Sequence, residues 1–88
     1  MRMYELVPQF DSRKSFYGKA RVIEDNNSTS SLYSYDSEII KFHKDTKKLE
    51  RVYMQIFSNT TLRHVKEFLR QNDFNVKTLD DVLVLLNN

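Results

Sequence analysis

FSNTTLRHVKEFLRQNDF, residues 57–74, is the stretch on which the fold turns. At about 100° per residue, Thr61, Leu62, Val65, Phe68 and Leu69 fall on one side of a helix, with Arg63, Lys66, Glu67 and Arg70 opposite. Ser58, Asn59 and Thr60 each offer a side-chain oxygen to a first-turn N–H that has no partner inside the helix, so the helix starts there. Asn72 or Asp73 would make the left-handed stop in place of the usual Gly. The stretch therefore predicts an amphipathic helix over about residues 60–71, and such a helix needs an apolar surface to lie on.

The residues upstream supply that surface. Leu49 to Phe57 reads as a strand with Val52, Met54 and Ile56 on one face and Arg51, Tyr53 and Gln55 on the other. KDTKK, residues 44–48, reads as a hairpin turn. In SLYSYDSEIIKFH, residues 31–43, the apolar parity shifts between Tyr33/Tyr35/Ile39 and Ile40/Phe42, so a bulge or bend is expected near Asp36 to Glu38. DNNSTSS, residues 25–31, is a polar loop, and Phe16 to Glu24 alternates as a half-buried strand. In that strand Phe16, Gly18, Ala20 and Val22 oppose Tyr17, Lys19, Arg21 and Ile23. MYEL near the start reads as a short edge strand, and VPQFDSRK as turn-like.

Downstream, KTLDDVLVLLNN offers Thr78 as a helix cap with Asp80 and Asp81 in the first turn, where carboxylates favour the positive end of the helix dipole. A short helix is preferred there and a strand is the alternative. Either way the run VLVLL needs cover from this core or from another chain. The expected fold is α+β: one domain over residues 1–88, with an antiparallel meander of three or four strands, the main helix on one face and a short C-terminal helix.

At 88 residues the chain holds one small core, which leaves homodimerisation open as a way to bury more surface. The only Gly and the only Pro are Gly18 and Pro8, so most turns must be closed by Asn, Asp, Ser and Thr. The absence of Cys excludes disulfides, thiolate zinc sites and Cys nucleophiles. No segment approaches the about 20 apolar residues of a membrane span, and the expected location is the cytosol. A net charge of +2 excludes acidic mimicry of DNA, yet does not by itself mark a nucleic-acid binder.

Chemistry-bearing residues are few. His64 lies about 90° from the centre of the apolar stripe, at the border of core and solvent. With His43 and a lysine it would run ribonuclease-type acid/base chemistry only if the two rings converged. Nothing in their spacing makes them do so, and two histidines without a carboxylate cluster make no recognisable metal site. Arg63, Lys66 and Arg70 form a basic stripe at i, i+3 and i+7, which suits solubility or a phosphate-bearing surface. Glu67 tempers that stripe by pairing with Arg63 and Arg70 along the helix. The outer sheet face is expected to join Tyr17, Lys19, Arg21, Tyr33, Tyr35, Arg51 and Tyr53. Such a face suits a protein partner or stacked bases equally well. Glycine-rich phosphate loops, nucleophile elbows and catalytic carboxylate pairs are absent, so no catalytic residue, cofactor or metal is assigned.

SFYGKARVIED, LYSYDSEI and SNTTLRHVKEFLRQNDF in this order resemble a family of small uncharacterised proteins from bacteriophages and mobile elements of low-GC Gram-positive bacteria. The likeness covers about residues 10–74, and TTLRH with FLRQN is its most specific part. That family usually ends the helix in Gly where this chain has Asp73. The resemblance implies a context and no chemistry: a non-enzymatic accessory protein in the host bacterial cytosol. Such a protein would bind a host protein or nucleoprotein complex, for instance as an anti-CRISPR-like inhibitor of defence. Direct nucleic-acid binding, by the tyrosine-rich face or the basic stripe, is the alternative.

Overall fold

A computed structural model of the chain describes residues 1–25 and 28–87. Five strands, β1 (Arg2–Glu5), β2 (Ala20–Glu24), β3 (Thr29–Ser34), β4 (Ser37–His43) and β5 (Lys48–Arg51), form an antiparallel sheet in sequence order. Two helices follow, α1 (Asn59–Gln71) and α2 (Leu79–Leu86). The α+β class agrees with the sequence pattern, but the sheet has more strands than the three or four expected. The extra strand comes from residues 31–43, which hold parts of two strands rather than one bent one. Tyr35, at φ 57°, and Asp36 make a two-residue turn closed by the Ser34 and Ser37 pair.

The parity shift has a separate cause. Leu32 pairs with Ile40 while Tyr33 pairs with Glu38, so Ile39 is the extra residue of a bulge, and both isoleucines are buried. The carbonyl of Ile39 then accepts from the backbone N–H groups of Val52 (2.9 Å) and Tyr53 (3.0 Å). β3 already begins at Thr29, so Thr29, Ser30 and Ser31 are strand rather than loop. Residues 26 and 27 of the expected polar loop lie outside the described residues.

Two expected strands are shorter than their alternation suggests. β2 starts only at Ala20, because Tyr17 (φ 55°) and Gly18 (φ 73°) form a tight turn in which the Lys19 N–H donates to the Phe16 carbonyl at 3.0 Å. Gly18 adopts that backbone freely, whereas Tyr17 holds it at a cost of about 1–2 kcal/mol. β5 stops at Arg51, so Val52, Met54 and Ile56 do not share a buried strand face, and Ile56 is 90% exposed. Arg51 curls the chain instead: its guanidinium donates to the carbonyls of Tyr53 (2.8 Å) and Gln55 (2.9 Å) and lies 4.8 Å over the Phe57 ring. Phe57 is thereby turned into the core.

One core joins Val22, Leu32, Ile40 and Phe42 of the sheet to Val65, Phe68 and Leu69 of α1 and Val82 of α2. Both helices therefore cover the same face. Ser58 caps α1 by accepting from the Thr61 N–H at 3.1 Å, and the helix ends where Asp73, at φ 72°, turns left-handed and the Phe74 N–H reaches the Leu69 carbonyl at 3.0 Å. At α2 the expected cap is present as a reciprocal pair between Thr78 and Asp81. Of its VLVLL run, Val82 is buried in this core and Leu85 and Leu86 pack against it, while Val84 is exposed.

The largest departure from helical periodicity is Glu67, placed by the pattern on the solvent side of α1 and found only 2% exposed. The chain leaving β1 crosses α1 at this point. The Glu67 carboxylate accepts from the backbone N–H groups of Gln9 (2.9 Å), Phe10 (3.0 Å) and Asp11 (2.9 Å) and from Gln71 Nε2 (2.6 Å). It forms no pair with Arg63 or Arg70. It closes a turn more than fifty residues away in sequence, the role of an anion in a ring of backbone donors.

Candidate functional site

The seven residues expected on one outer face are divided among three places. Cross-strand pairing puts Glu5, Arg21, Tyr33 and Glu38 in one row of the outer face and Met3, Ile23, Ser31, Lys41 and Glu50 in the next. Only Arg21 and Tyr33 of the expected set lie there, with a carboxylate at each end of their row. Arg51 pairs with the core residue Ile40 and so belongs to the helix side. Tyr53, stacked on Phe57 at 6.3 Å, packs against the core. Tyr17, Lys19 and Tyr35 sit beyond the strand ends, in two turns.

Those two turns are tied together. The Tyr35 N–H donates to the Lys19 carbonyl at 2.7 Å, Lys19 Nζ lies 5.4 Å over the Tyr35 ring, and Arg21 Nη2 donates to the Tyr35 carbonyl at 3.1 Å. On the other side the Gly18 N–H donates to Glu5 Oε2 at 3.1 Å. Tyr17 and Tyr35 are 76% and 46% exposed, respectively. Both therefore present their rings from backbone positions that side chains rarely occupy.

The basic stripe of α1 is partly engaged. Arg63 Nη1 donates to both oxygens of Asp11, at 3.0 and 3.2 Å, and the Arg70 guanidinium stacks 4.8 Å over Phe10. Lys66 reaches the Lys77 carbonyl only at 3.5 Å. The turn at residues 9–11 thus takes up two of the three cations.

His43 and His64 do not converge. His43 faces Thr29 at one end of the sheet and pairs with Glu50 at 3.3 Å. His64 bonds to Ser34, five residues further along β3, which is about 16 Å at the rise of a strand. Among the described residues no group of three or more His, Cys, Asp or Glu side chains could hold a metal ion.

His64 is not a boundary residue either: it is 1% exposed and forms the floor of a cavity of about 180 Å³. The wall from the loop after β1 comprises Arg13, Ser15, Phe16, Tyr17 and Lys19. Tyr35 closes one side, and Thr60 and Arg63 bring the first two turns of α1 to the other. Arg63 from the expected stripe thus meets Tyr17, Lys19 and Tyr35 from the expected face. Ser34 and Arg13 were not singled out by the sequence, and Thr60 and Thr61 were seen only as a helix cap and as part of the apolar stripe. The small Ser34 between two tyrosines was the available signal, since a hydroxyl on the core side of a strand needs a partner.

A chain of hydrogen bonds beneath the floor sets the state of His64. Ser58 Oγ donates to Thr61 Oγ1 (3.1 Å), and the contacts Thr61 Oγ1 to Ser34 Oγ (3.1 Å) and Ser34 Oγ to His64 Nδ1 (2.8 Å) continue the chain. Continued in the direction set by Ser58, every hydroxyl hydrogen is used once and Nδ1 accepts, which assigns the ring proton to Nε2. Burial pushes the imidazole pKa down to about 4, against a smaller opposing pull from Asp11, so the ring is neutral at pH 7. The edge of Phe16 packs on it with centroids 4.6 Å apart. Nδ1 is taken, Nε2 has no partner among the described residues, and no fully buried side-chain polar atom among them is unpaired. The sliver of the ring that reaches the cavity therefore carries the Nε2–H.

No helix is long and apolar enough to cross a membrane among the described residues. A family model described as a family of unknown function, DUF8033, matches residues 4–83, so the chain belongs to that family. No curated protein and no solved structure matches the chain.

Proposed function

We propose that this member of the DUF8033 family is a non-enzymatic binding protein that docks on a host protein or nucleoprotein complex through the rim made by Tyr17, Lys19 and Tyr35. The observation that carries this reading is the pair of exposed tyrosines on left-handed backbone, since a side chain kept in a costly conformation while facing water is spent on something other than the core. Tyrosine offers large contact area at low entropic cost, and Lys19 and Arg13 beside the rings give the rim a charge for a partner to match. The separation of His43 from His64 supports a binding role over histidine-dependent nuclease chemistry. An anti-defence role within a phage or mobile element is the finer form of the proposal and rests on the sequence resemblance alone.

Direct nucleic-acid binding is the rival reading. The carboxylates of Glu5, Glu38 and Glu50 on the outer sheet face speak against it there, so it would use the same rim. Affinity capture from host lysate, with and without nuclease, separates the two. A specific partner is expected to be retained by the wild-type chain after nuclease treatment and lost by Tyr17→Ala/Tyr35→Ala. Empty capture by the folded wild-type protein would refute the docking reading, and a partner released by nuclease would favour the rival.

A further inference from the structure

We infer that the cavity floored by His64 is a binding site for a phosphate monoester dianion, with its ester group against the rings of Phe16, Tyr17 and Tyr35. The donors converge from α1 and from the segment between β1 and β2. His64 presents an Nε2–H that has no acceptor among the described residues although the residue is 99% buried, the complement of its 1% exposure. The N–H groups of Asn59 and Thr60, in the first turn of the thirteen-residue helix α1, likewise have no protein acceptor among the described residues, and Thr60 lines the cavity. No acidic side chain occupies that first turn, so the positive end of the helix dipole is left for an outside anion.

Charge selects the ligand. The lining carries three cations, Arg13, Lys19 and Arg63, and no carboxylate. Asp11 balances Arg63 at 3.0 Å, while neither Arg13 nor Lys19 makes an ion pair among the described residues, which leaves an excess of two positive charges. A phosphate monoester carries close to two negative charges at pH 7, whereas a carboxylate carries one. Arg13 and Arg63 offer the forked donors that match phosphate oxygens. The cavity, about 180 Å³, has room for the phosphoryl group and the start of its ester, and the exposed Tyr17 continues the wall outward.

The site shares Tyr17, Lys19 and Tyr35 with the docking rim but does not depend on the docking reading, because its ligand is small and its test needs no partner. The purified full chain is titrated with inorganic phosphate, phenyl phosphate and a nucleoside 5′-monophosphate, with acetate as the control, and followed by amide and imidazole NMR. Saturable shifts at Thr60, Arg63 and the His64 Nε2–H are expected with the phosphates and not with acetate. Tighter binding of the two esters than of inorganic phosphate is the signature of ring contacts. Lys19→Gln, at an exposed position that leaves the core intact, should weaken phenyl phosphate about 10-fold or more, the worth of one charge-assisted bond. Tyr17→Ala should weaken the esters and leave inorganic phosphate unchanged. Shifts that never saturate, or acetate binding as tightly as phosphate, would overturn the inference whatever the capture experiment gives.

Discussion

Replacing Glu67 tests the least expected feature of the fold, a carboxylate on a nominally polar helix face that organises the chain leaving β1. Its oxygens receive three backbone N–H groups, from Gln9, Phe10 and Asp11, and the Gln71 amide at 2.6 Å. A hydrogen bond to a charged group contributes about 1.5–3 kcal/mol, but a turn that is released can regain part of this from water. Glu67→Ala is therefore expected to cost about 3–5 kcal/mol, the range found when one partner of a buried charged cluster is removed. Glu67→Gln keeps the shape, yet one end of the amide donates where an acceptor is needed, so about 1–3 kcal/mol should be lost. A domain of this length holds roughly 4–13 kcal/mol in total at the usual stability per residue, so the Ala variant should be close to unfolding. Urea denaturation followed by circular dichroism reads the loss, and hydrogen exchange at Gln9, Phe10 and Asp11 reads its location. Losses under about 0.5 kcal/mol for both variants would equal those of an exposed helix pair and refute the buried-acceptor account.

Three further outcomes are expected. Because His64 titrates near pH 4 when folded and at its ordinary 6.5 when unfolded, stability should be intact above pH 6.5. It should then fall by about 3 kcal/mol as the unfolded chain alone takes up a proton toward pH 4. Glu24, held low chiefly by its bond from Lys44, gives up its contribution only below the ordinary carboxylate value of 4.5. Melts of the wild type and His64→Gln across pH 4.5–7 isolate the histidine, and parallel pH curves would refute the assignment. Phe68→Ala should cost about 3–5 kcal/mol by leaving a cavity between α1 and the sheet, and a near-unchanged melting temperature would show that the ring is not in the core. Ser34→Ala removes the donor to His64 Nδ1, so the imidazole should lose its fixed Nε2–H tautomer, visible in its ¹⁵N shifts, with a stability loss of about 1–2 kcal/mol. An unchanged tautomer would refute the hydroxyl chain.

The local rules carried far along the chain. The caps at Ser58 and Thr78, the left-handed stop at Asp73 and the apolar stripe through Val65, Phe68 and Leu69 all follow from short-range periodicity and side-chain hydrogen bonding. The bulge at Ile39 was legible as a break in parity, although the hairpin turn at Tyr35 and Asp36 beside it was not, because the positive φ falls on Tyr35, which is not a usual marker of such turns. The same alternation overextended β2 and β5, since period two says which side a residue faces only while the strand continues. Arg51 ended β5 through contacts with the residues that follow it.

The candidate site was legible only in pieces. Tyr17, Lys19, Tyr35 and Arg63 were each visible as exposed aromatic or cationic residues, but in two separate groups. Their meeting around His64 depends on the Tyr35 to Lys19 backbone bond and on the docking of α1 beside β3. From its sequence alone this protein is an α+β meander carrying a capped amphipathic helix, because those properties depend on neighbours within a few residues. That Glu67 lies inside, that His64 is neutral with its proton on Nε2, and that the cations surround a cavity were decided only by the folded chain. Each of those facts is set by partners thirty to sixty residues distant, and no period along the chain encodes what two remote segments present to each other.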